Sequence, residues 1–141
     1  MRFSSKIVFF IYKLLTLIIA PLGAAFLCYK KRQDPPYGKR VFELLGFYPY
    51  KLNNCVWFHA ASVGEINSLK PLIIKFQKLY PSKNILITTM TTTGNMAALN
   101  IPNVKTAFMP LDSPCVIKRF FNNSKPNFLF IVDTELWPNM L

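Results

Sequence analysis

From Cys55 onward the chain alternates between two hydrophobic periods. The short apolar runs "CVWFHAA", "NILITT", "VKTAFM" and "NFLFIV" are separated by segments whose apolar residues recur at three- and four-residue steps. Runs of this length between turn residues are expected to be strands, the first of them a buried one, and the clearest stepped segment a helix with one apolar side. The clearest helix carries Ile66, Leu69, Leu72, Ile73, Phe76 and Leu79 on one side. Lys70, Lys75 and Lys78 largely take the other, and Pro81 lies beyond the end. "TTGNMAALN" and "DSPCVIKRFFNN" are the next two helices, the second with Asp112 or Ser113 as N-cap and Pro114 near its first position. "TELWPNML" begins a further turn or helix. Strand and helix in regular succession, joined by short connections, specify an α/β fold on a doubly wound parallel sheet. Such sheets place ligands beyond the carboxyl ends of their strands. Chemistry is therefore expected in the loops Ala61–Glu65, Thr89–Gly94, Pro110–Pro114 and Asp133–Asn139.

The N-terminal segment is of another kind. "IVFFIYKLLTLIIAPLGAAFLC", Ile7 to Cys28, is long enough to cross a bilayer, which takes about 20 apolar residues. A cleaved secretory signal has a shorter apolar region followed by a small-residue cleavage site, whereas this run meets Lys30, Lys31 and Arg32 at once. Lys13 is tolerated in a spanning helix by snorkelling, and more easily in a helix lying in the interface. Residues 1–32 are expected to be an uncleaved membrane anchor with a basic flank, the remainder lying in the cytosol by the positive-inside rule. Residues 33–54 read as a linker and a short helix, "KRVFELLG", stopped by Gly46. Tyr37, Phe47, Tyr48 and Tyr50 form either an interfacial aromatic belt or ordinary packing against the domain. Residues 55–141 are the expected α/β domain.

Charge narrows the partner class. The formal charge is +11, from 17 Lys and Arg against 6 Asp and Glu, and calls for an anionic partner. Arg2, Lys6, Lys13, Lys30, Lys31, Arg32, Lys39 and Arg40 crowd the first forty residues, where Asp34 is the one acid. That distribution fits a membrane surface better than a nucleic-acid groove, and no basic-aromatic motif of a nucleic-acid reader is present. The hydrophobic content of 52% excludes a disordered polypeptide. Cys28, Cys55 and Cys115 are widely spaced and accompany one histidine, so free thiols are expected and no zinc site.

In the loops, Ser62 and Glu65 form an S-x-x-E capping box just ahead of the clearest helix. The same carboxylate sits at the mouth of the first strand, where a catalytic base would stand, so cap and base are both open. "TTMTTTGN" offers hydroxyls and a glycine at a helix start, suited to a phosphate or carboxylate or to plain capping. It lacks the lysine of a P-loop and the three-glycine dinucleotide fingerprint. "DTELWPN" ends the last strand with Asp133 and Glu135, which suit a metal, sugar hydroxyls or a helix cap. Trp137 is expected in the core rather than stacked on a sugar. His59 is expected to be a satisfied core or near-site residue.

Taken together, "WFHAASVGEINSLKPLI", "ILITTMTTTG", "PLDSPCVIKRFF" and "KPNFLFIVDTELWPN" resemble the N-terminal half of 3-deoxy-D-manno-octulosonic acid (Kdo) transferases, in order and spacing as well as in words. "KKRQDPPYGKRVFELLG" is similar to that family's juxtamembrane segment. The resemblance implies the Rossmann-like N-terminal domain of a GT-B glycosyltransferase at the cytoplasmic face of a bacterial inner membrane. Such an enzyme moves Kdo from CMP-Kdo to lipid A precursor with inversion, needing neither metal nor other cofactor. It implies Glu65 as general base, Glu135 as its support, and acceptor binding by Ser62, Gly64, Thr91, Thr92, Thr93 and Gly94. Two departures stand out. Asp133 replaces the glutamate common in the family, and the chain stops at Leu141, before the C-terminal domain that binds the donor. A fragment inactive alone is therefore expected, with a non-catalytic, membrane-tethered interaction domain as the alternative.

Overall fold

The computed structural model describes residues 3–30, 41–133 and 137–140. The linker stretch 33–40, the basic residues Arg2, Lys31 and Arg32, Tyr37, and Glu135 lie outside the described residues. The elements are α1 (Phe3–Lys30), α2 (Val41–Leu44), β1 (Cys55–His59), α3 (Val63–Leu79), β2 (Asn84–Thr89), α4 (Thr92–Leu99), β3 (Lys105–Phe108), α5 (Pro114–Ser124) and β4 (Pro126–Ile131). The chain divides into two units, Met1–Phe47 with Pro110–Phe120 and Leu136–Leu141, and Tyr48–Met109 with Phe121–Glu135.

The second unit holds the sheet. Its four strands are all parallel, in the order β3-β2-β1-β4. The chain winds outward from β1 through β2 to β3, then returns to the opposite side of β1. The reversal makes the gap between β1 and β4 the topological switch point, where open α/β sheets bind ligands. Every residue of β1 is buried, as an inner strand of a parallel sheet requires. Val56, Phe58 and Ala60 meet Ile66, Leu69 and Ile73 of α3, together with Ile85, Ile87, Ala98 and Ile101, in one core on one face. Side chains alternate along a strand, and the intervening Trp57 meets Phe121 edge-on at 6.2 Å.

The expected helix from Ile66 begins at Val63 and runs to Leu79, with Tyr80 donating back to the Phe76 carbonyl. Pro71 lies inside it and has no N–H to offer. A groove of about 500 Å³ lies beside it, lined by Lys70, Pro71, Lys75 and Lys78 among others. Tyr48 and Tyr50 donate from their hydroxyls to the carbonyls of Phe108 (3.3 Å) and Thr106 (3.0 Å), so for these two packing against β3 replaces the aromatic belt. β4 is less covered than β1. Phe128 is 65% and Phe130 43% exposed, although Phe130 also stacks on Phe58 at 5.0 Å.

The first unit is built on α1. Lys6–Tyr29 is long and apolar enough to cross a membrane, and few of its side chains are buried, chiefly Ala20 and Ala24. Lys13 lies 4.3 Å from the Phe9 ring centre, so its ammonium keeps an aromatic partner on its own helix. α2 ends as the sequence indicates. Gly46 has φ 77° and donates to Glu43, while Phe47 donates to Phe42, the paired bonds of a Schellman turn. A Cβ at Gly46 would meet the Val116 carbonyl at 2.7 Å, so backbone approach as well as φ requires glycine there. Arg119 lies 4.0 Å from the Phe47 ring centre. Pro114 is the first residue of α5, as expected, and of the two residues expected at its cap Ser113 holds that position, its C=O accepting from Ile117 N–H at 2.8 Å, rather than Asp112. Its carboxylate instead accepts from the Tyr12 hydroxyl (2.7 Å) and from the Asn139 N–H (3.1 Å). The spacing that suggests a cap reflects a tie to residues far away in sequence.

Candidate functional site

Glu65 stands in the first turn of α3, just past the carboxyl end of β1. Ser62 is the N-cap in extended conformation (φ −124°, ψ 168°), and its Oγ accepts weakly from Glu65 N–H at 3.4 Å. The carboxylate is held at both oxygens. Oε2 accepts from Ala61 N–H at 2.8 Å and Oε1 from the Ser62 hydroxyl at 2.7 Å. The capping box is therefore formed, with the glutamate reaching one residue further back than the cap itself. Each oxygen has two lone pairs, so each keeps one beyond these bonds. The side chain is half-buried. It is fixed in direction and not sealed from solvent.

The threonine loop is tied to the same backbone. Ala61 C=O accepts from Met90 N–H (3.1 Å) and from the Thr91 hydroxyl (3.3 Å). Thr91 is also the N-cap of α4, its Oγ1 accepting from Gly94 N–H at 3.1 Å. A Cβ at Gly94 would meet Thr91 Oγ1 at 2.9 Å and the Ser62 carbonyl carbon at 3.3 Å. Glycine is what lets the start of α4 approach the Ser62 loop. Two of the four expected loops, Ala61–Glu65 and Thr89–Gly94, thus form one rim at the ends of β1 and β2. Around Glu65 they place the hydroxyls of Ser62 and Thr91. Gly64 and Thr93 are exposed and Thr92 half-buried along the same loops, while Gly94 is buried. At the end of β4, Val132 N–H donates to His59 C=O at 3.0 Å, and Asp133 takes a left-handed φ of 69°. Pro110–Pro114 belongs to the other unit, and Glu135 lies outside the described residues.

His59 is a core residue, fully buried, its Nδ1 2.8 Å from Thr88 Oγ1. Trp57 Nε1 donates to the same oxygen at 2.7 Å. An indole N–H can only donate, so the threonine keeps its one proton for His59 Nδ1 or for the Met109 sulfur 3.8 Å away. Sequence reasoning did not find this Trp57–Thr88–His59 cluster. Its members sit on neighbouring strands in register, His59 beside Thr88, and only the strand pairing reveals it. Burial pushes the Cys55 thiol up to about 11, against a smaller lowering by a backbone hydrogen bond, which leaves it protonated and inert as a nucleophile at neutral pH. Among the described residues no three His, Cys, Asp or Glu side chains gather as a metal site.

Comparison with known proteins adds identity to this geometry. The family model described as 3-deoxy-D-manno-octulosonic-acid transferase (kdotransferase) matches residues 39–141. A 3-deoxy-D-manno-octulosonic acid transferase of Haemophilus influenzae is 37% identical over 139 residues, 94% of this chain and 32% of the relative. A probable mitochondrial 3-deoxy-D-manno-octulosonic acid transferase of Arabidopsis thaliana is 32% identical, over 95% of this chain and 31% of the relative. A bifunctional glycosyltransferase/methyltransferase of Fusobacterium nucleatum is 33% identical, over 92% of this chain and 20% of the relative. The chain therefore spans about a third or less of the length of these curated relatives.

Proposed function

Because the chain belongs to the Kdo transferase family, we propose that it is the acceptor-binding, N-terminal part of a glycosyltransferase of lipopolysaccharide synthesis. Residues 55–141 bind a lipid A precursor at the rim that the Ala61–Glu65 and Thr89–Gly94 loops form at the ends of β1 and β2. CMP-Kdo is held by the portion of the enzyme that corresponds to the rest of the longer relatives. Residues 1–32 keep the site at the cytoplasmic face of the inner membrane, beside its lipid substrate. The observation that carries this reading is Glu65, a half-buried carboxylate fixed at the rim of a parallel sheet by Ala61 N–H and the Ser62 hydroxyl.

In this reading a lone pair of Glu65 takes the proton of an acceptor hydroxyl as that oxygen attacks the anomeric carbon of Kdo. The bond from that carbon to CMP breaks as the new one forms, CMP leaves with the electron pair, and configuration inverts. The two donors on the carboxylate hold its direction, which lowers the entropic cost of a near-attack geometry. Ser62, Gly64 and the loop from Thr91 to Gly94 line the acceptor, and Glu135 supports it or the base.

A second reading has its own observation. Both Glu65 oxygens are already engaged in a cap, which a tethered interaction domain needs as much as an enzyme does. Supplying the C-terminal portion of the Haemophilus relative to the full chain, with CMP-Kdo and lipid A precursor, separates the two. Labelled Kdo appearing on the lipid only when both polypeptides are present supports the transferase; no transfer, with both folded and bound to each other, supports the interaction domain.

A further inference from the structure

β4 is the outermost strand on its side of the sheet, and among the described residues no strand pairs with its outer edge. Val132 N–H donates to His59 C=O, and β4 keeps register with β1 from Phe128 onward. Successive residues of a strand turn their backbone groups to opposite sides. Phe128 and Phe130 therefore bond toward β1, as Val132 does, while Leu129 and Ile131 aim their N–H and C=O outward. Side chains alternate too. Phe128 and Phe130 share a face with Phe58, on which Phe130 stacks, and both phenylalanines of β4 are exposed. From Phe128 to Val132 the edge carries no charge, proline or bulge of the kind that usually blunts one. Charge stands only at its two ends, where Lys125 and Asp133 are both exposed. Each has a left-handed φ, 40° and 69°, that takes the chain out of the strand.

Opposite charges at its two ends make this edge complementary to itself. A twofold axis through Leu129 lays the same strand of a second copy antiparallel beside it, so that one patch is used twice. Antiparallel edge strands on otherwise parallel sheets are common. Leu129 then exchanges both backbone hydrogen bonds with its own counterpart. Phe128 stands opposite Phe130 of the second copy, and Phe130 opposite its Phe128. These are the non-hydrogen-bonded positions, where Cα atoms approach to about 4.5 Å and aromatic side chains pair. Lys125 comes to Asp133 of the second copy at both ends. The irregularity at Pro126–Asn127 shortens that end by about one residue, within the reach of a lysine side chain. A hydrocarbon or a helix laid on the phenylalanines would leave the outward groups of Leu129 and Ile131 unmet.

We propose that β4 is a self-association edge, through which two copies of this chain join their four-stranded sheets into one, β4 antiparallel to β4 about Leu129. The proposal draws on nothing in the catalytic reading. The net charge of +11 opposes the pair at low salt, so the dimer is expected at physiological ionic strength, where charges more than about 8 Å apart are screened.

The test uses the full chain in detergent micelles, with Cys28 and Cys115, the two cysteines that are not buried, changed to Ser. Hydrogen-bonded partners in an antiparallel pair lie about 5.5 Å apart at Cα, inside the span of a disulfide. Leu129→Cys is therefore expected to give a disulfide-linked dimer on mild oxidation. Ile131→Cys, whose counterpart lies about four residues along the neighbouring strand, is expected to stay monomeric. Leu129→Pro removes an outward N–H and spares the ladder to β1, so it is expected to halve the protein mass measured by light scattering. Lys125→Asp and Asp133→Lys are each expected to lower the dimer fraction, and the two together to restore it. Equal cross-linking of the two cysteine variants overturns the register. A dimer that survives Leu129→Pro is held elsewhere, and a parent chain that is monomeric throughout has no such edge; either result overturns the proposal. So does slow amide exchange at Leu129 and Ile131 that appears only when the C-terminal portion of the Haemophilus relative is added, since the edge then belongs to that polypeptide.

Discussion

The cap that Glu65 forms and the base proposed for it can be separated by substitution. Glutamine at the third helical position still completes a capping box, since its amide oxygen accepts from Ala61 N–H. It cannot take a proton. Glu65→Gln is therefore expected to unfold in urea within about 0.5 kcal/mol of the parent, and Glu65→Ala to lose about 1 kcal/mol, the usual worth of a cap. Equal losses for both would mean that charge, and not capping, holds the start of α3. Gly94 makes the second residue-scale test. A methyl there must displace Thr91 Oγ1 or the Ser62 backbone, so Gly94→Ala is expected to cost about 1–3 kcal/mol in the same titration. A neutral result would show that the two loops are not locked together.

At the scale of elements, α2 depends on its stop. Gly46→Ala places a side chain at φ 77° against the Val116 carbonyl and is expected to lower stability by about 2 kcal/mol, read by thermal unfolding. Much of this level was legible from the chain. The four strands and the helices between them fall where the change of period puts them, continuous apolar runs marking strands and stepped ones helices, although of the four runs that of β4 is largely exposed. The S-x-x-E signal of Ser62 and Glu65 was equally legible, being local. What escaped is set by distance along the chain. Asp112 reads as a cap by spacing but bonds Tyr12, 100 residues away. Tyr48 and Tyr50 read as ambiguous aromatics until β3 supplies the carbonyls that receive their hydroxyls. The Trp57–Thr88–His59 cluster needs strand register, which periodicity alone does not give. The meeting of the Ser62 and Thr91 loops needed the sheet order, whose crossover also locates the switch point.

At the scale of the whole molecule, α1 is the proposed membrane segment and the Glu65 rim the proposed transferase site. α1 holds by apolar burial, so the chain is expected to stay with membrane vesicles at 1 M salt, where screening acts over about 3 Å, and to leave only with detergent. Release by salt alone would make the attachment electrostatic and return the weight to the basic flank. The site claim is tested most directly by the rate of Kdo transfer to lipid A precursor when the chain is completed with the C-terminal portion of a relative, parent against Glu65→Gln. Loss of about 10²-fold or more in that rate, with the urea midpoint unchanged, is the predicted result. A Glu65→Gln protein that transfers Kdo at the parent rate would contradict it and leave the carboxylate as a helix cap alone.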